Sequence, residues 1–154
     1  LFVAAGRGPQ EDEIRSLHRE LGLEERFRLL GYRADAARLM SAFDVFCMSS
    51  HHEGLPVALM EALALGVPVV VTRAGGNAEL VTEGVEGRLV DPGRPTDLAA
   101  ALISMATDDT ARENHAQKAA DRGDSLSGLK AIRRHEDLYR RLADAKRGGG
   151  GLEP

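Results

Sequence analysis

Short apolar runs alternate with longer amphipathic segments along most of this chain. The apolar runs lie at residues 1–5, 27–30, 45–48, 68–72 and 87–90. Between them, apolar residues recur three or four positions apart, as at Ile14, Leu17 and Leu21, which predicts helices that bury one face. Strands that alternate with helices in this way predict an α/β fold with a parallel sheet and right-handed crossovers.

The same pattern predicts where the helices lie and which strands are buried. Helices are expected at 12–21, 34–43, 56–65, 77–82, 96–106, 110–120 and 127–145, with Thr96 and Thr110 as N-caps. The strand at 68–72 is rich in valine, as expected for a strand covered on both faces. The strand at 1–5 is also predicted to be buried, and Cys47 is predicted to belong to the core.

Length and charge narrow the class of protein. The chain has 154 residues, which suits one domain over residues 1–147, followed by a flexible Gly-rich tail at 148–154. It has no apolar run of ~20 residues and no basic leader, so we expect a soluble, cytoplasmic protein. A net charge of −4 gives no reason to expect nucleic acid, and the single cysteine excludes an internal disulfide and a cysteine-based zinc cluster.

Three glycine-bearing turns follow predicted strands, at residues 6–9, 49–56 and 73–77. In parallel sheets, ligands bind where strands end and helices begin, and glycine lets backbone amides approach a phosphate. The turns therefore predict a cradle for an anionic, hydroxyl-bearing ligand such as a nucleotide sugar. The pair Gly6 and Gly8 lacks the third glycine of a dinucleotide fingerprint, so NAD binding is not expected.

Two carboxylates, Glu53 and Glu61, flank the second of these turns. Glu53 precedes the predicted helix, and Glu61 lies five residues beyond Pro56, about a turn and a half along it at ~3.6 residues per turn. They are either the polar contacts of a ligand site or two solvated charges. The neighbouring histidines, His51 and His52, are either surface residues or contacts for phosphate or acceptor. They do not form a metal site, because no further ligands lie at a suitable spacing.

The residues from Glu53 onward carry a family resemblance. The pattern is E-G-L-P-x-x-L-x-E-A-L-A-x-G-V-P-V-V-x-T-x-x-G-G-x-x-E-L-V, continued by G-R-L-V-D-P. It resembles the donor-binding half of retaining GT-B glycosyltransferases of the group-1 family, and the likeness extends over nearly all of residues 1–145. The resemblance implies a Rossmann-like, doubly wound parallel sheet with flanking helices, whose first strand is missing from this chain.

The resemblance also implies roles for individual residues. It implies that Glu61 accepts hydrogen bonds from the ribose hydroxyls and that Glu53 lies beside the transferred sugar as the catalytic carboxylate. It implies that the remaining contacts to the donor come from Gly54, Leu55, Pro56, Val57, Tyr32, Arg33, Gly75 and Gly76, with Tyr32 and Arg33 near the nucleobase. Catalysis without metal or cofactor, transfer with retention, and a UDP- or GDP-linked sugar as substrate are implied as well.

Partners follow from the same comparison. Family members carry an N-terminal acceptor-binding domain and a strand followed by an Arg and a Lys that clamp the diphosphate. Neither is found in the 154 residues, so the chain alone is expected to be an inactive fragment of a glycosyltransferase. The alternative is a non-catalytic nucleotide-binding or interaction module. The basic face at Arg133, Arg134, Arg140 and Arg141 is either solvated or a peripheral membrane contact.

Overall fold

A computed structural model describes residues 1–126 and 128–147 of the chain. Its strands are β1 (Phe2–Ala5), β2 (Phe27–Gly31), β3 (Phe46–Met48), β4 (Val69–Thr72) and β5 (Gly87–Val90). Its helices are α1 (Glu11–Glu20), α2 (Ala36–Met40), α3 (Val57–Ala64), α4 (Asn77–Leu80), α5 (Pro95–Thr107), α6 (Asp109–Ser125) and α7 (Gly128–Arg147). Ser127 and the predicted tail at 148–154 lie outside the described residues.

The chain divides into two compact units, and the first comprises Leu1–Leu39. In this unit β1 and β2 pair in parallel, with Phe2 opposite Phe27. The two phenyl rings stack with their centroids 5.9 Å apart, and His18 of α1 lies 2.5 Å from the carbonyl oxygen of Phe27 through Nε2. The ring contact joins β1 to β2, and the histidine contact joins α1 to the two-stranded sheet.

The prediction that the strand at 1–5 is buried is wrong, because Phe2 of β1 is 51% exposed. Helix α1 has no buried residue, and the apolar side chains on its predicted inner face, among them Ile14 and Leu17, are about half exposed. The physical reason is size, since a unit with two strands and one long helix has too few elements to cover an apolar face.

The second unit begins at Met40 and contains the three-stranded parallel sheet β3-β4-β5. Phe46 of β3 lies opposite Val69 of β4, and Val69 in turn lies opposite Gly87 of β5. All the described strand pairs are thus parallel, as the alternation of strands and helices predicts. The α/β, Rossmann-like class predicted from the sequence is confirmed, with the described strands hydrogen-bonded as a pair and a triplet.

The core of the second unit has two layers, one on each face of β4. Successive strand residues point to opposite faces. Val69 and Val71 accordingly pack with Leu59 and Leu63 of α3 and with Ala119 of α6. On the other face lies the second cluster, formed by Val70, Val90, Ala101 and Met105. Every residue of β4 is buried, which confirms the expectation that this strand is covered on both faces.

The prediction that Cys47 belongs to the core is wrong. Cys47 lies in β3, at an edge of the triplet sheet, and it is exposed, whereas its neighbour Phe46 is buried. Alternation along the strand places the two side chains on opposite faces. Enough protein surrounds the sulfur for burial to raise the pKa of the Cys47 thiol above its ordinary value.

Two of the predicted helix caps are replaced by others. Helix α5 begins at Pro95, so Thr96 lies inside it, and proline is favoured at this first position because its missing N–H has no intrahelical partner there. Helix α6 is capped by Asp108, whose carboxylate accepts a hydrogen bond of 2.9 Å from the amide of Ala111. Aspartate is at least as good an N-cap as threonine, which places Thr110 within the helix.

Within the part of the chain that the structure describes, no helix combines the length and the apolar character that crossing a bilayer requires. Helices α3, α5 and α6 instead pack on the sheet of the second unit and on one another. Helices α3 and α6 meet at Gly123, where a β-carbon would lie 2.5 Å from the Cα of Ala64 and 2.5 Å from the carbonyl oxygen of Leu63. This close approach of two backbones requires glycine.

We predict that Gly123→Ala lowers the free energy of unfolding by about 1–3 kcal/mol, the usual cost of overpacking a core. Urea unfolding followed by circular dichroism measures the difference. Gly128→Ala is the matched control, because a β-carbon at Gly128 meets no atom within 4 Å and alanine favours helix. Equal stability of the wild type and Gly123→Ala would contradict the close packing of α3 against α6.

Candidate functional site

The candidate site is built around the loop between β3 and α3, where the sequence predicts donor contacts. Glu53 lies in this loop and is partly buried. The hydroxyl of Ser50 donates a hydrogen bond of 2.6 Å to Oε1 of Glu53. Thr72, the last residue of β4, donates from its own hydroxyl to the carbonyl oxygen of Ser50, also at 2.6 Å. The loop that carries Glu53 is therefore fastened to the end of the buried strand.

Glu61 lies on α3, on the side of the helix that faces away from the core. The opposite side is buried through Leu59, Ala62 and Leu63. The Glu61 carboxylate is exposed, and no hydrogen bond or ion pair joins it to another of the described residues. Val57, one helical turn earlier, is 62% exposed on the same side. A rigid helix thus presents a free carboxylate beside an exposed apolar side chain.

The start of α3 suits an anion. The first amides of a helix have no partner within the helix, and the helix dipole adds positive potential there. No acidic residue lies in the first turn of α3, and no side chain caps it, since Pro56 is the N-cap. In contrast, α1 carries Glu11, Asp12 and Glu13 in its first turn. Of the predicted phosphate-binding turns, the one at 49–56 is therefore electrostatically favourable and the one at 6–9 is not.

The third predicted turn, at residues 73–77, packs against the backbone of the Glu53 loop. A β-carbon on Gly75 would overlap the carbonyl oxygen of Glu53, and one on Gly76 would overlap that of Gly54. Gly75 also has a φ of +46°, in the left-handed region that favours glycine. The amide of Gly76 donates to the Glu53 carbonyl at 3.4 Å. Both glycines thus have a packing role, and their predicted contact with the donor stays a prediction.

Tyr32 and Arg33, the residues predicted to meet the nucleobase, lie in the first unit directly after β2. Tyr32 is 65% exposed, and the guanidinium of Arg7 lies 5.7 Å from the centre of its ring. Arg33 binds Asp35 through two hydrogen bonds of 2.7 Å, and these bonds hold the pKa of the Asp35 carboxyl below its ordinary value. Directly after β2, Tyr32 is thus approached by an arginine, and Arg33 is held in an ion pair.

A cavity of about 300 Å³ lies in the first unit at the carboxyl ends of β1 and β2. The turn from Gly6 to Gln10 forms one side of it, and Ile14 and Leu29 contribute apolar surface. Arg7 lines this cavity and approaches the ring of Tyr32, so the structure adds Arg7 to the residues around the predicted nucleobase contact. Its position in a turn after the first strand was the available signal in the sequence.

Four of the second unit's polar groups at the site had no assigned role in the sequence analysis. They are Ser50, Thr72, Asn77 and Arg73. The first three form hydrogen bonds around the Glu53 loop, and Arg73 lies 3.6 Å from Asp91. A polar residue at the end of an all-apolar strand, as Thr72 is, could have pointed to such a role. Among residues 1–126 and 128–147, no cluster of three or more histidine, cysteine, aspartate or glutamate side chains is arranged to hold a metal ion.

This protein is a Rossmann-like α/β protein with a candidate anion site. The site lies where a parallel strand ends in a loop that carries a carboxylate, and where the next helix begins without a side-chain cap. Residues 1–122 match the family model of glycosyl transferases group 1. The chain belongs to this family, and the family recognised from the Glu53 motif is confirmed.

Two curated relatives show how much of a family member the chain represents. It is 33% identical over 142 residues to the lipopolysaccharide core biosynthesis glycosyltransferase LpsE of Rhizobium meliloti, covering 92% of this chain and 41% of LpsE. It is 35% identical over 129 residues to the D-inositol 3-phosphate glycosyltransferase of Corynebacterium kroppenstedtii, covering 82% of this chain and 29% of that enzyme. The chain therefore spans less than half the length of these relatives.

Solved structures have the same fold. Anabaena Alr3699/HepE, in complex with UDP-glucose, superposes with a TM-score of 0.78 at 30% identity, over 92% of this chain and 40% of HepE. The C-terminal domain of the group 1 family protein LpcC from Francisella tularensis superposes with a TM-score of 0.67 at 26% identity, over 77% of this chain and 64% of that domain.

We predict that Gly76→Ala displaces the Glu53 loop, because the added methyl group would overlap the carbonyl oxygen of Gly54. Amide chemical shifts of residues 50–55 and 57, measured by NMR, are expected to change more than those of β5. Gly8→Ala is the control, since a β-carbon there meets nothing within 4 Å and its φ is not in the left-handed region. Unchanged shifts in the loop of Gly76→Ala would refute the supporting role of the glycine turn.

Proposed function

We propose that this chain is the donor-binding part of a glycosyltransferase that transfers a sugar from a UDP- or GDP-linked donor to an acceptor. The observation that carries the proposal is the free, exposed carboxylate of Glu61 on α3, close in sequence to the anchored carboxylate of Glu53. Membership of the group 1 family and the likeness to HepE, which is known in complex with UDP-glucose, support it.

Glu61 is assigned to the ribose of the donor. An ionised carboxylate accepts hydrogen bonds through both oxygens, and two vicinal hydroxyls can donate to it together. Its freedom from other partners among the described residues leaves both oxygens available. The buried face of α3 fixes the backbone that carries Glu61, so only the side-chain rotamers of Glu61 remain to be ordered when a ligand binds.

The turn between the two carboxylates is assigned to the diphosphate and the sugar. The first amides of α3 and the absence of acidic residues from its first turn favour a phosphate group. Gly54, Leu55 and Val57 are exposed there and supply backbone amides, whereas Pro56 is buried and supplies none. Glu53 is assigned to the hydroxyls of the transferred sugar, where it acts as the catalytic carboxylate.

In the first unit, Tyr32 and Arg33 are assigned to the nucleobase. An exposed tyrosine ring offers a flat face for stacking, and the Arg33–Asp35 pair offers polar groups that can discriminate between bases. Calorimetric titration with UDP and with GDP distinguishes the two bases.

Catalysis is proposed to need no metal ion and to retain the anomeric configuration, with helix amides and positive charge stabilising the departing diphosphate. An acceptor-binding domain is proposed to come from the remainder of the protein, because the chain spans 41% of LpsE. The 154-residue chain is therefore expected to bind a donor without transferring its sugar. Binding without transfer by a longer chain that includes the acceptor domain would favour a non-catalytic nucleotide-binding module instead.

We predict that Glu61→Gln weakens UDP or GDP binding by about tenfold or more, since hydrogen bonds to a charged group contribute about 1.5–3 kcal/mol. Isothermal titration calorimetry of the 154-residue chain measures the loss. Glu113→Gln is a matched control, because Glu113 is an exposed glutamate on α6. Unchanged nucleotide affinity in Glu61→Gln would remove the ribose assignment.

We also propose that α7 contacts a membrane surface. All residues from 128 to 146 are exposed, and apolar side chains including Leu129, Ile132 and Tyr139 recur along the helix. The sequence of α7 contains seven lysines and arginines against three acidic residues, in a chain whose net charge is −4. An exposed helix that combines an apolar stripe with concentrated positive charge suits an anionic lipid surface.

For this helix we predict co-sedimentation with vesicles that contain phosphatidylglycerol and none with vesicles of phosphatidylcholine alone. The double variant Arg140→Glu, Arg141→Glu is expected to lose binding, because each basic residue near an anionic surface contributes about 1 kcal/mol. The double variant Arg19→Glu, Arg26→Glu is the charge-matched control, because both arginines are exposed and lie outside α7. Equal binding to both vesicle types, or no effect of the double variant, would refute an electrostatic membrane contact.

A further inference from the structure

A chain of hydrogen bonds runs from a buried amide to the carboxylate of Glu53. Asn77, which is fully buried, donates from Nδ2 to the carbonyl oxygen of Thr72 at 2.9 Å. Thr72 donates from its hydroxyl to the carbonyl oxygen of Ser50, and Ser50 donates from its hydroxyl to Oε1 of Glu53. The bonded residues are separated in sequence by 5, 22 and 3 positions, respectively. The bond across 22 positions joins two elements that only the fold brings together.

The bond from Ser50 to Glu53 is short, at 2.6 Å, as expected when a hydroxyl donates to a charged carboxylate. It engages one oxygen of Glu53. No described residue forms a hydrogen bond with the other oxygen, which leaves it to accept from a ligand. Because Glu53 lies in a loop, its side chain would otherwise lose rotamer entropy when it binds.

The remaining bonds explain why Ser50 itself is held. Its carbonyl oxygen accepts a hydrogen bond from the hydroxyl of Thr72, which is buried at the end of β4. The carbonyl oxygen of Thr72 in turn accepts from Asn77, and no described group donates to Oδ1 of this asparagine. Asn77 thus contributes its amide hydrogen bond to the end of the strand. The hydroxyl of Ser50 therefore starts from a fixed backbone position.

We propose that Ser50 is a positioning residue that orients Glu53 toward the transferred sugar of the donor, and that Thr72 acts through Ser50 in the same way. The assignment rests on the proposed function, since it takes Glu53 as the contact to sugar hydroxyls. It makes a differential prediction, because the nucleoside diphosphate alone has no such sugar. Deleting the hydroxyl of Ser50 weakens binding of the nucleotide sugar and leaves binding of the nucleoside diphosphate unchanged.

The test compares Ser50→Ala with the wild-type chain by calorimetry, with UDP and UDP-glucose as probes. We expect UDP-glucose to bind about five- to tenfold more weakly to the variant and UDP to bind equally, a smaller effect than the loss of a direct hydrogen bond to a charged group, because Ser50 acts on the sugar only through Glu53. Thr72→Val, which removes the second hydroxyl while keeping the side-chain shape, is expected to show a smaller loss of the same kind. Ser104→Ala is the control, since Ser104 is an exposed serine on α5, outside the predicted binding turns.

A ligand-free measurement separates the positioning role from the donor assignment. Three-bond NMR couplings of the Glu53 side chain are expected to report one rotamer in the wild type and averaged rotamers in Ser50→Ala. Equal losses for UDP and UDP-glucose, or unaltered couplings, would overturn the positioning role. If the wild type binds neither UDP nor GDP, nor their glucose and mannose conjugates, the proposed function fails, and the couplings alone then decide whether Ser50 orients Glu53.

Discussion

Burial of β4 is the constraint on which the second unit depends. Its four residues are buried, and its valine side chains alternate between the α3–α6 layer and the α5 layer. A strand enclosed in this way has little freedom to shift its register, because a slip by one residue would exchange the two faces. The groups at its carboxyl end are therefore also held in fixed positions. Thr72 and the turn at Gly75–Gly76 hold the Glu53 loop. The position of the loop therefore depends on the packing of the three valines of β4.

The same packing sets the direction of Glu61. Leu59, Ala62 and Leu63 bury one side of α3, and the helical period then directs Glu61 and Val57 outward. Replacing the outward residues changes little in the core, whereas replacing the inward ones would alter the helix that carries the site. Stability and the proposed ligand contact are thus divided between two faces of one short helix.

The sequence predicted these elements well because they are defined by local pattern. The valine run of β4, the helix between Pro56 and Gly66, and the glycine turn all give strong signals at short range. The exposure of α1 and of Cys47 was not predicted, since burial depends on which elements cover a face and not on the periodicity of that face. The link from Thr72 to Ser50 spans 22 residues and becomes visible only when β3 and β4 pair.

The two carboxylates differ in how they are held, and this difference accords with their assigned partners. Glu53 lies in a loop, where a free side chain would sample several rotamers, and Ser50 restricts it by binding one oxygen. Glu61 lies on a helix whose backbone is already fixed, and no described residue binds its carboxylate, so both of its oxygens stay available. A pair of vicinal hydroxyls calls for two free oxygens, whereas a sugar that must be oriented for reaction calls for a carboxylate in a defined position. The hydrogen bond from Ser50 thus restrains the loop carboxylate at its side chain, whereas α3 restrains Glu61 only at its backbone.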